Sequence, residues 1–155
     1  MNDPLLIDTD IWIEGERQPA VIANWLADQG DVATCDTVRA EFLVGVHAPR
    51  QPATREKARR YFEEVIACTP SLPVDRADFD QAGRLIGDAI RNGQARPTLG
   101  DGLIAACALR NGRTVAAKNE KDLVGSWTFG GKAVPRRSEF SVARTWPRVR
   151  GNRTS

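Results

Sequence analysis

The stretch LLIDTDIWI, residues 5–13, decides the fold class and raises a question about function. Three large aliphatic residues run into Asp8, Thr9 and Asp10, after which apolar residues resume. The aliphatic run is typical of a buried strand. An ionised carboxylate buried without a partner is very unfavourable. The acids must therefore lie at a strand end that faces water, or a positive charge must lie between them.

Outward from this stretch, short apolar strands alternate with segments of helical periodicity. Strands are predicted at 5–7, 31–35, 71–74 and 114–117, with the proline-containing third one at a sheet edge. Helices are predicted at 20–30, 37–47, 55–67, 75–93 and 98–112, the last two opened by acidic capping patterns. This alternation predicts an α/β fold with a central parallel sheet flanked by helices on both faces.

Composition predicts one ordinary soluble domain. The chain has 155 residues, 41% of them apolar and 27% charged, and no apolar run of membrane-spanning length. The N-terminus has no basic segment ahead of its apolar stretch, so we expect neither a signal peptide nor an anchor. Cys35, Cys68 and Cys107 are scattered and form no CxxC pair. This argues against a disulfide framework or a zinc site and favours a reducing cytoplasm.

Charge is distributed unevenly along the chain. From Lys132 to the end there are seven basic residues and one acid, a net charge of +6, which leaves −4 for residues 1–131 of the total of +2. We therefore expect a domain over 1–131 and a basic C-terminal extension over 132–155, partly ordered or flexible. Either the extension attracts phosphates, with Arg144, Arg148 and Arg150 as the candidates for contacting the phosphates of a nucleic acid, or it is a solvated terminus.

Four acidic residues are candidates for a shared site. Asp8 and Asp122 each follow a predicted strand, and ligands of open parallel sheets bind beyond the carboxyl ends of strands. Asp101 opens a helix, where a cap and a metal ligand are compatible roles. Glu41 has no basic neighbour one turn away, so we expect it to be directed towards the core with a partner supplied by the fold; the alternative is a glutamate at the edge of the apolar stripe that reaches water. For Asp10 we favour a structural role, in which Asp10 or Thr9 caps a short helix over residues 11–15.

Four carboxylates in one cleft imply a bound cation. They repel one another strongly unless divalent ions lie among them. Oxygen ligands without histidine or cysteine select a hard ion, Mg²⁺ or Mn²⁺. Such ions stabilise the attacking and leaving oxygens in phosphodiester cleavage.

The chain resembles PIN-domain proteins, specifically the VapC-like ribonuclease toxins of prokaryotic toxin–antitoxin pairs. The stretches that carry the resemblance, between residue 5 and about 123, are LLIDTDIWI, ATCDTVRAEFLVGV, LGDGLIAACALRNG and VAAKNEKDL. The resemblance implies an acidic metal cluster, which consists of Asp8, Glu41, Asp101 and Asp122. It also implies two supporting polar residues, Thr9 and Asn119. It further implies Mg²⁺-dependent cleavage of RNA, a homodimer, and an antitoxin partner that blocks the site.

Two features depart from the family pattern. The position two residues before Asn119, which is often Thr or Ser in the family, is Ala117 here, and the residue after the third acid is Gly102. Neither removes a carboxylate. The basic end after Lys132 has no clear counterpart in the family.

Two other functions are alternatives to the interpretation as a nuclease. An apolar strand that runs into Asp8-x-Asp10 resembles haloacid-dehalogenase-like phosphatases, in which the first aspartate is a nucleophile and the second an acid/base. That family requires a Thr or Val where Trp12 stands and leaves Glu41 unexplained. The non-enzymatic alternative is a PIN-like RNA-binding module with a dead site, against which the presence of all four acids argues.

Overall fold

The computed structural model of the protein describes residues 3–117 and, as backbone, the strand residues 128–129, 132–133 and 136–138. In chain order the described elements are β1 (Leu5–Ile7), α1 (Thr9–Arg17), α2 (Pro19–Ala27), β2 (Val32–Cys35), α3 (Asp36–His47), α4 (Pro52–Tyr61), β3 (Ser71–Leu72), α5 (Arg76–Arg91), α6 (Leu99–Arg110), β4 (Thr114–Ala117), β5 (Thr128–Phe129), β6 (Lys132–Ala133) and β7 (Arg136–Ser138). A π-helical turn, Phe62–Ile66, continues α4.

The sheet is parallel throughout and has the order β3-β2-β1-β4-β7. The predicted parallel sheet, with helices on both of its faces, is confirmed, as is the edge position of β3. Strand β1 lies in the middle, and its residues Leu5, Leu6 and Ile7 are completely buried. Because every strand runs in the same direction, all their carboxyl ends meet at one edge. The residues that follow β1 and β2 are therefore brought to the edge at which β4 ends.

Strand β7 adds a feature that the sequence did not predict. It lies within the expected basic extension and pairs with β4 in the register Val115↔Arg136 and Ala117↔Ser138. The short strands β5 and β6 form a separate antiparallel pair.

Helix α1, Thr9–Arg17, is longer than the short helix predicted over residues 11–15. A glycine, Gly15, lies near its C-terminal end and weakens the local helical signal. The glycine is explained by packing, because a Cβ atom at this position would collide with the Tyr61 hydroxyl of α4 and lie 2.8 Å from its Cζ. The close approach of α1 and α4 therefore requires a residue without a side chain.

Helices α5 and α6 pack against each other and begin with the capping boxes that the sequence predicted. The apolar periodicity of this segment predicts a buried stripe of Phe79, Ala82, Leu85, Ile86, Ala89 and Ile90. This prediction is partly wrong, since Phe79 and Ile90 are 52% and 47% exposed. The buried side of the helix includes Asp78 instead, which is 1% exposed. Its carboxylate accepts two hydrogen bonds from the Arg110 guanidinium of α6, each 2.8 Å long. This ion pair fixes the rotation of α5 about its axis.

A search of the described part of the chain finds no helix long and apolar enough to cross a membrane.

Candidate active site

The carboxyl edge of the sheet begins at Asp8, the residue that directly follows β1. Its backbone N–H donates to the carbonyl oxygen of Ala116 at 2.9 Å, so Asp8 lies beside the end of β4. Its side chain caps α1 by accepting a hydrogen bond from the N–H of Thr9 at 2.7 Å. The positive end of the helix dipole stabilises negative charge at this position. Asp8 is therefore fixed where parallel sheets bind ligands.

The capping role that we favoured for Asp10 or Thr9 belongs to Asp8. Asp10 lies one step further, inside the first turn of α1. The reason is geometric: the extended backbone continues through Asp8, with φ −76° and ψ 160°, and the helix begins at Thr9. A carboxylate offers about four acceptor positions, so capping does not prevent Asp8 from binding a cation as well.

Glu41 reaches the same edge from α3. Its carboxylate oxygen Oε2 accepts a hydrogen bond from the hydroxyl of Thr9. The prediction that the fold supplies a partner for Glu41 is confirmed, and the partner is Thr9. The predicted orientation towards the core is wrong, because Glu41 is exposed. The buried stripe of α3 consists of Val38, Phe42 and Val46.

Asp101 is held at the start of α6. Its oxygen Oδ2 accepts hydrogen bonds from the N–H and the hydroxyl of Thr98, at 3.1 and 2.8 Å. The N–H of Asp101 donates back to the Thr98 hydroxyl oxygen at 3.1 Å. Thr98 therefore orients this carboxylate, as the capping pattern in the sequence predicted.

Gly100 connects α6 with Glu41. A Cβ atom added to Gly100 would collide with Oε1 of Glu41 and lie 3.5 Å from its Cδ. The Glu41 carboxylate thus lies between the hydroxyl of Thr9 on α1 and the backbone of Gly100 on α6. Sequence reasoning did not single out Gly100; the available signal was a glycine in the first turn of a helix, directly before a candidate ligand.

A buried thiol lies near these acids. Cys35 ends β2, and a hydrogen bond with Cys107 of α6 holds the pKa of the Cys35 thiol below its ordinary value, although burial and the charge of Asp8 raise it. The same hydrogen bond, together with burial, raises the pKa of Cys107. Both cysteines are free thiols in the core. The charge of Asp8 therefore acts on the thiol at the end of the neighbouring strand β2, where it opposes the lowering of the pKa of Cys35.

The described acids belong to one edge but do not form a complete ligand set. Among residues 3–117, no group of three or more His, Cys, Asp or Glu side chains could by itself hold a metal ion. Thr9 joins Asp8 to Glu41 along the chain and by hydrogen bond, and Gly100 joins Glu41 to Asp101. The remaining predicted site residues, Asn119 and Asp122, lie outside the described residues, as do Arg144, Arg148 and Arg150.

The residues present fit a hard divalent cation in two respects. Their donor atoms are carboxylate oxygens, which Mg²⁺ and Mn²⁺ prefer. The space beside Gly100 that a Cβ atom would fill is occupied by the Glu41 carboxylate, which places this donor at the start of α6, next in the chain to Asp101. The N-termini of α1 and α6 would stabilise the charges of Asp8 and Asp101 by themselves. Glu41 is exposed, and contacts from α1 and α6 hold its carboxylate in place.

A groove of about 640 Å³ lies elsewhere, at the other end of α1. It is lined by residues of α1, α2 and α4 and of the π-helical turn, among them Glu16, Leu26 and Tyr61. Burial, and then the charge of Glu16, raises the pKa of the Tyr61 hydroxyl to about 12. The hydroxyl therefore stays protonated at neutral pH, and the groove is separate from the acidic edge.

Comparison with known proteins agrees with this architecture. The PIN domain family model matches residues 5–124. Ribonuclease VapC11 of Mycobacterium tuberculosis is 30% identical over 122 residues, which cover 74% of this chain and 86% of the relative.

Solved structures give the same answer. VapBC-5 of Mycobacterium tuberculosis, a member of the VapBC family of toxin–antitoxin systems, is similar with a TM-score of 0.62 and 26% identity over 79% of this chain and 90% of that one. The DNA-bound VapBC structure from Salmonella typhimurium shares the fold with a TM-score of 0.72 at 15% identity, over 89% of this chain and 98% of the other. The protein described here belongs to the PIN-domain family and, within it, to the group of the VapC ribonucleases.

Proposed function

We propose that this protein is a metal-dependent endoribonuclease that acts as the toxin of a toxin–antitoxin pair. The observation that carries the proposal is the contact of Glu41, in the middle of α3, with both Thr9 and Gly100, which joins α3 to the amino ends of α1 and α6 at the carboxyl edge of the sheet. The relationship to VapC ribonucleases supports RNA as the substrate.

The proposed ligands of the ion are the three acids described at the sheet edge, Asp8, Glu41 and Asp101, together with Asp122. Mg²⁺ is the proposed ion, with Mn²⁺ as a substitute, because the donors are hard oxygens. A divalent ion supplies electrostatic stabilisation of the attacking and leaving oxygens in phosphodiester cleavage.

The other residues of the site hold these ligands in place. The Thr9 hydroxyl donates to Glu41 and fixes the direction of its carboxylate. Thr98 does the same for Asp101, and the amino ends of α1 and α6 stabilise the charges of the two aspartates. Asn119 is proposed as a further polar support. Ligands held in advance need less reorganisation when the ion and RNA bind.

The remaining parts of the proposal concern partners and location. The structural neighbours named VapBC support an antitoxin as the partner, and the family relationship supports a homodimer in the cytoplasm. The basic residues Arg144, Arg148 and Arg150 are proposed to contact RNA phosphates, because an acidic edge repels the RNA backbone and needs a compensating positive region.

The test is a cleavage assay with the purified protein. We expect single-stranded RNA to be cleaved with Mg²⁺ or Mn²⁺ and not in EDTA. Zn²⁺ should not be the required ion, because the acidic set has no histidine or cysteine ligand. Glu41→Gln is the inactive control, since it keeps the shape of the side chain and removes its charge. In cells, induced expression should arrest growth, and the neighbouring small open reading frame should relieve the arrest.

Two results would count against the proposal. Release of phosphate from small phosphate esters without cleavage of RNA would favour the dehalogenase-like phosphatase. Binding of RNA without cleavage under any divalent ion would favour the inactive RNA-binding module.

A further inference from the structure

Gly100 is the second residue of α6 and faces Glu41 across the candidate site. An ideal Cβ on this residue would collide with Oε1 of Glu41, lie 3.5 Å from Cδ of the same side chain and lie 3.7 Å from the hydroxyl oxygen of Thr98. The nearest obstacle to a side chain at position 100 is therefore the candidate ligand itself.

The helix does not need a glycine at this position. Among the described residues, positive φ angles occur at Gly93 and Gly112, whereas Gly100 has the φ of an ordinary helical residue. Apart from proline, glycine is the least favourable residue inside a helix. Local structure therefore favours alanine at position 100, and the reason for glycine must be the space that it leaves open.

We propose that Gly100 is a positioning residue, which keeps the carboxylate of Glu41 at the start of α6, beside Asp101, where it serves the cation of the proposed nuclease. This inference rests on the proposed function for its catalytic meaning. The missing side chain lets Glu41 accept the hydrogen bond from Thr9 and approach α6 at the same time.

The geometry also predicts how a methyl group at position 100 acts. The colliding atom, Oε1, is the end of a flexible and exposed side chain. Rotation of the Glu41 side chain relieves the collision, and the backbones of α3 and α6 stay in place. Gly100→Ala should therefore displace one carboxylate and leave the fold intact.

The first measurement compares stability with cation affinity. In EDTA, Gly100→Ala should melt at or above the temperature of the unchanged protein, because alanine favours the helix. Its affinity for Mn²⁺, titrated by the electron-spin resonance of the free ion, should fall about 10-fold, as is usual when the support of a ligand is removed. A merely structural role for Gly100 predicts the reverse pattern, a lower melting temperature with normal Mn²⁺ affinity.

Two glycines of the same chain give matched controls. Gly45 lies on α3, one turn after Glu41, and Gly87 lies on α5; an added Cβ at either position meets nothing within 4 Å. Gly45→Ala and Gly87→Ala should raise the melting temperature and keep the Mn²⁺ affinity. A 10-fold loss of affinity in either control would overturn the assignment to Gly100.

A double variant tests whether the effect passes through Glu41. In a Glu41→Ala background, Gly100→Ala should cause no further loss of Mn²⁺ affinity, since the side chain that it displaces is already absent. A second full 10-fold loss would overturn the proposal.

The last measurement separates this inference from the proposed function. In EDTA, the ¹³C resonance of the Glu41 carboxyl carbon, assigned by its disappearance in Glu41→Gln, should shift in Gly100→Ala and stay unchanged in Gly87→Ala. If the unchanged protein neither binds Mn²⁺ nor cleaves RNA, the proposed nuclease fails, while a shifted resonance still supports the positioning contact. An unshifted resonance overturns the contact, whatever the activity.

Discussion

Asp8 and Asp10 have the same side chain and lie two residues apart, yet the structure gives them different environments. Asp8 follows the central strand, lies beside the end of β4 and caps α1. Asp10 lies inside the first turn of α1. Only Asp8 occupies the strand end at which parallel sheets bind ligands.

We therefore expect Asp8→Asn and Asp10→Asn to differ in activity. Asp8→Asn should lower RNA cleavage by about 100-fold or more, because it removes a proposed ligand charge. It should keep most of its stability, since asparagine also caps helices well. Asp10→Asn should retain a good part of the activity. Cleavage rates at saturating Mg²⁺, together with thermal melts, give the comparison.

Equal loss of activity in the two variants, with both folded, would show that the opening pair of acids is assigned wrongly. It would also favour the phosphatase hypothesis, which requires the carboxylates of both Asp8 and Asp10.

At the residue scale, the local pattern predicted the capping role of Asp101 on α6 but assigned the cap of α1 to the wrong residue, since Asp8 caps that helix. The Thr98–Asp101 capping box was read directly from four consecutive residues. The contacts of Glu41 could not be read in this way, because Thr9 and Gly100 lie far from it in the chain. Its exposure was also mispredicted: Val38, three residues before it, is buried, and Glu41 lies just outside that stripe.

At the scale of the elements, the ion pair between α5 and α6 controls how the two helices meet. Arg110 donates to both oxygens of Asp78 and also, at 2.7 Å, to the carbonyl oxygen of Pro73, which lies in the connection between β3 and α5. Burial raises the pKa of Asp78, but the hydrogen bonds and charge of Arg110 and a hydrogen bond within the capping box outweigh it, so that the net pKa is lowered.

This lowered pKa fixes the pH dependence of the pair. A carboxyl group with a lower pKa in the folded state stabilises the protein above its unfolded pKa of about 4, and this contribution is lost as the pH falls through the folded value. Arg110→Met should cost about 2 kcal/mol at pH 7, less than a fully buried pair because a third of the Arg110 side chain is exposed. The cost should shrink between pH 5 and the lowest pH at which both proteins still fold, as urea denaturation will measure.

Arg91→Met is the matched control on α5, since its pair with Asp88 leaves 74% of the arginine side chain exposed. We expect it to cost at most about 0.5 kcal/mol. A similar cost in the two variants, or a cost for Arg110→Met that does not change with pH, would contradict the assigned role of the buried pair.

Caps and apolar periodicity predicted most helices, and tertiary packing explains the misses. Capping residues located the starts of α5 and α6, whereas α1 was underestimated because Gly15 serves the contact with Tyr61. Helix α3 begins at Asp36, with Cys35 at the cap position, one residue earlier than the predicted start at residue 37.

At the scale of the whole molecule, the parallel sheet followed from the alternation of strands and helices, but its full width did not. Strand β7 consists of Arg136, Arg137 and Ser138, which have none of the apolar character of β1. Its identity as a strand depends on pairing with β4 and is not encoded by local pattern. Polar edge strands of this kind are invisible to periodicity.

The uneven charge of the chain gives the prediction for RNA binding. Replacing Arg144, Arg148 and Arg150 together with Ala should weaken binding and lower the slope of log affinity against log salt by about 2, or about 0.7 for each single-strand phosphate contact. Binding should be measured with the Asp8→Asn variant, so that the RNA remains intact.

The control removes the same number of charges elsewhere, at Arg59, Arg60 and Arg91, which form ion pairs with neighbouring acids. We expect its salt slope to stay within experimental error of the parent. An unchanged slope in the first variant, or an equal fall in both, would make the C-terminal arginines a solvated end without a role in binding.

The sheet order also has a consequence for folding during synthesis on the ribosome. Strands β1 to β4 are synthesised before β7, so a nascent chain carries β4 as an open edge until residues 136–138 have been made. During that interval the unpaired N–H and C=O groups of β4 can pair with another nascent chain or be shielded by a chaperone. The order of synthesis thus makes β4, the strand that lies beside Asp8, the last of the central strands to be protected.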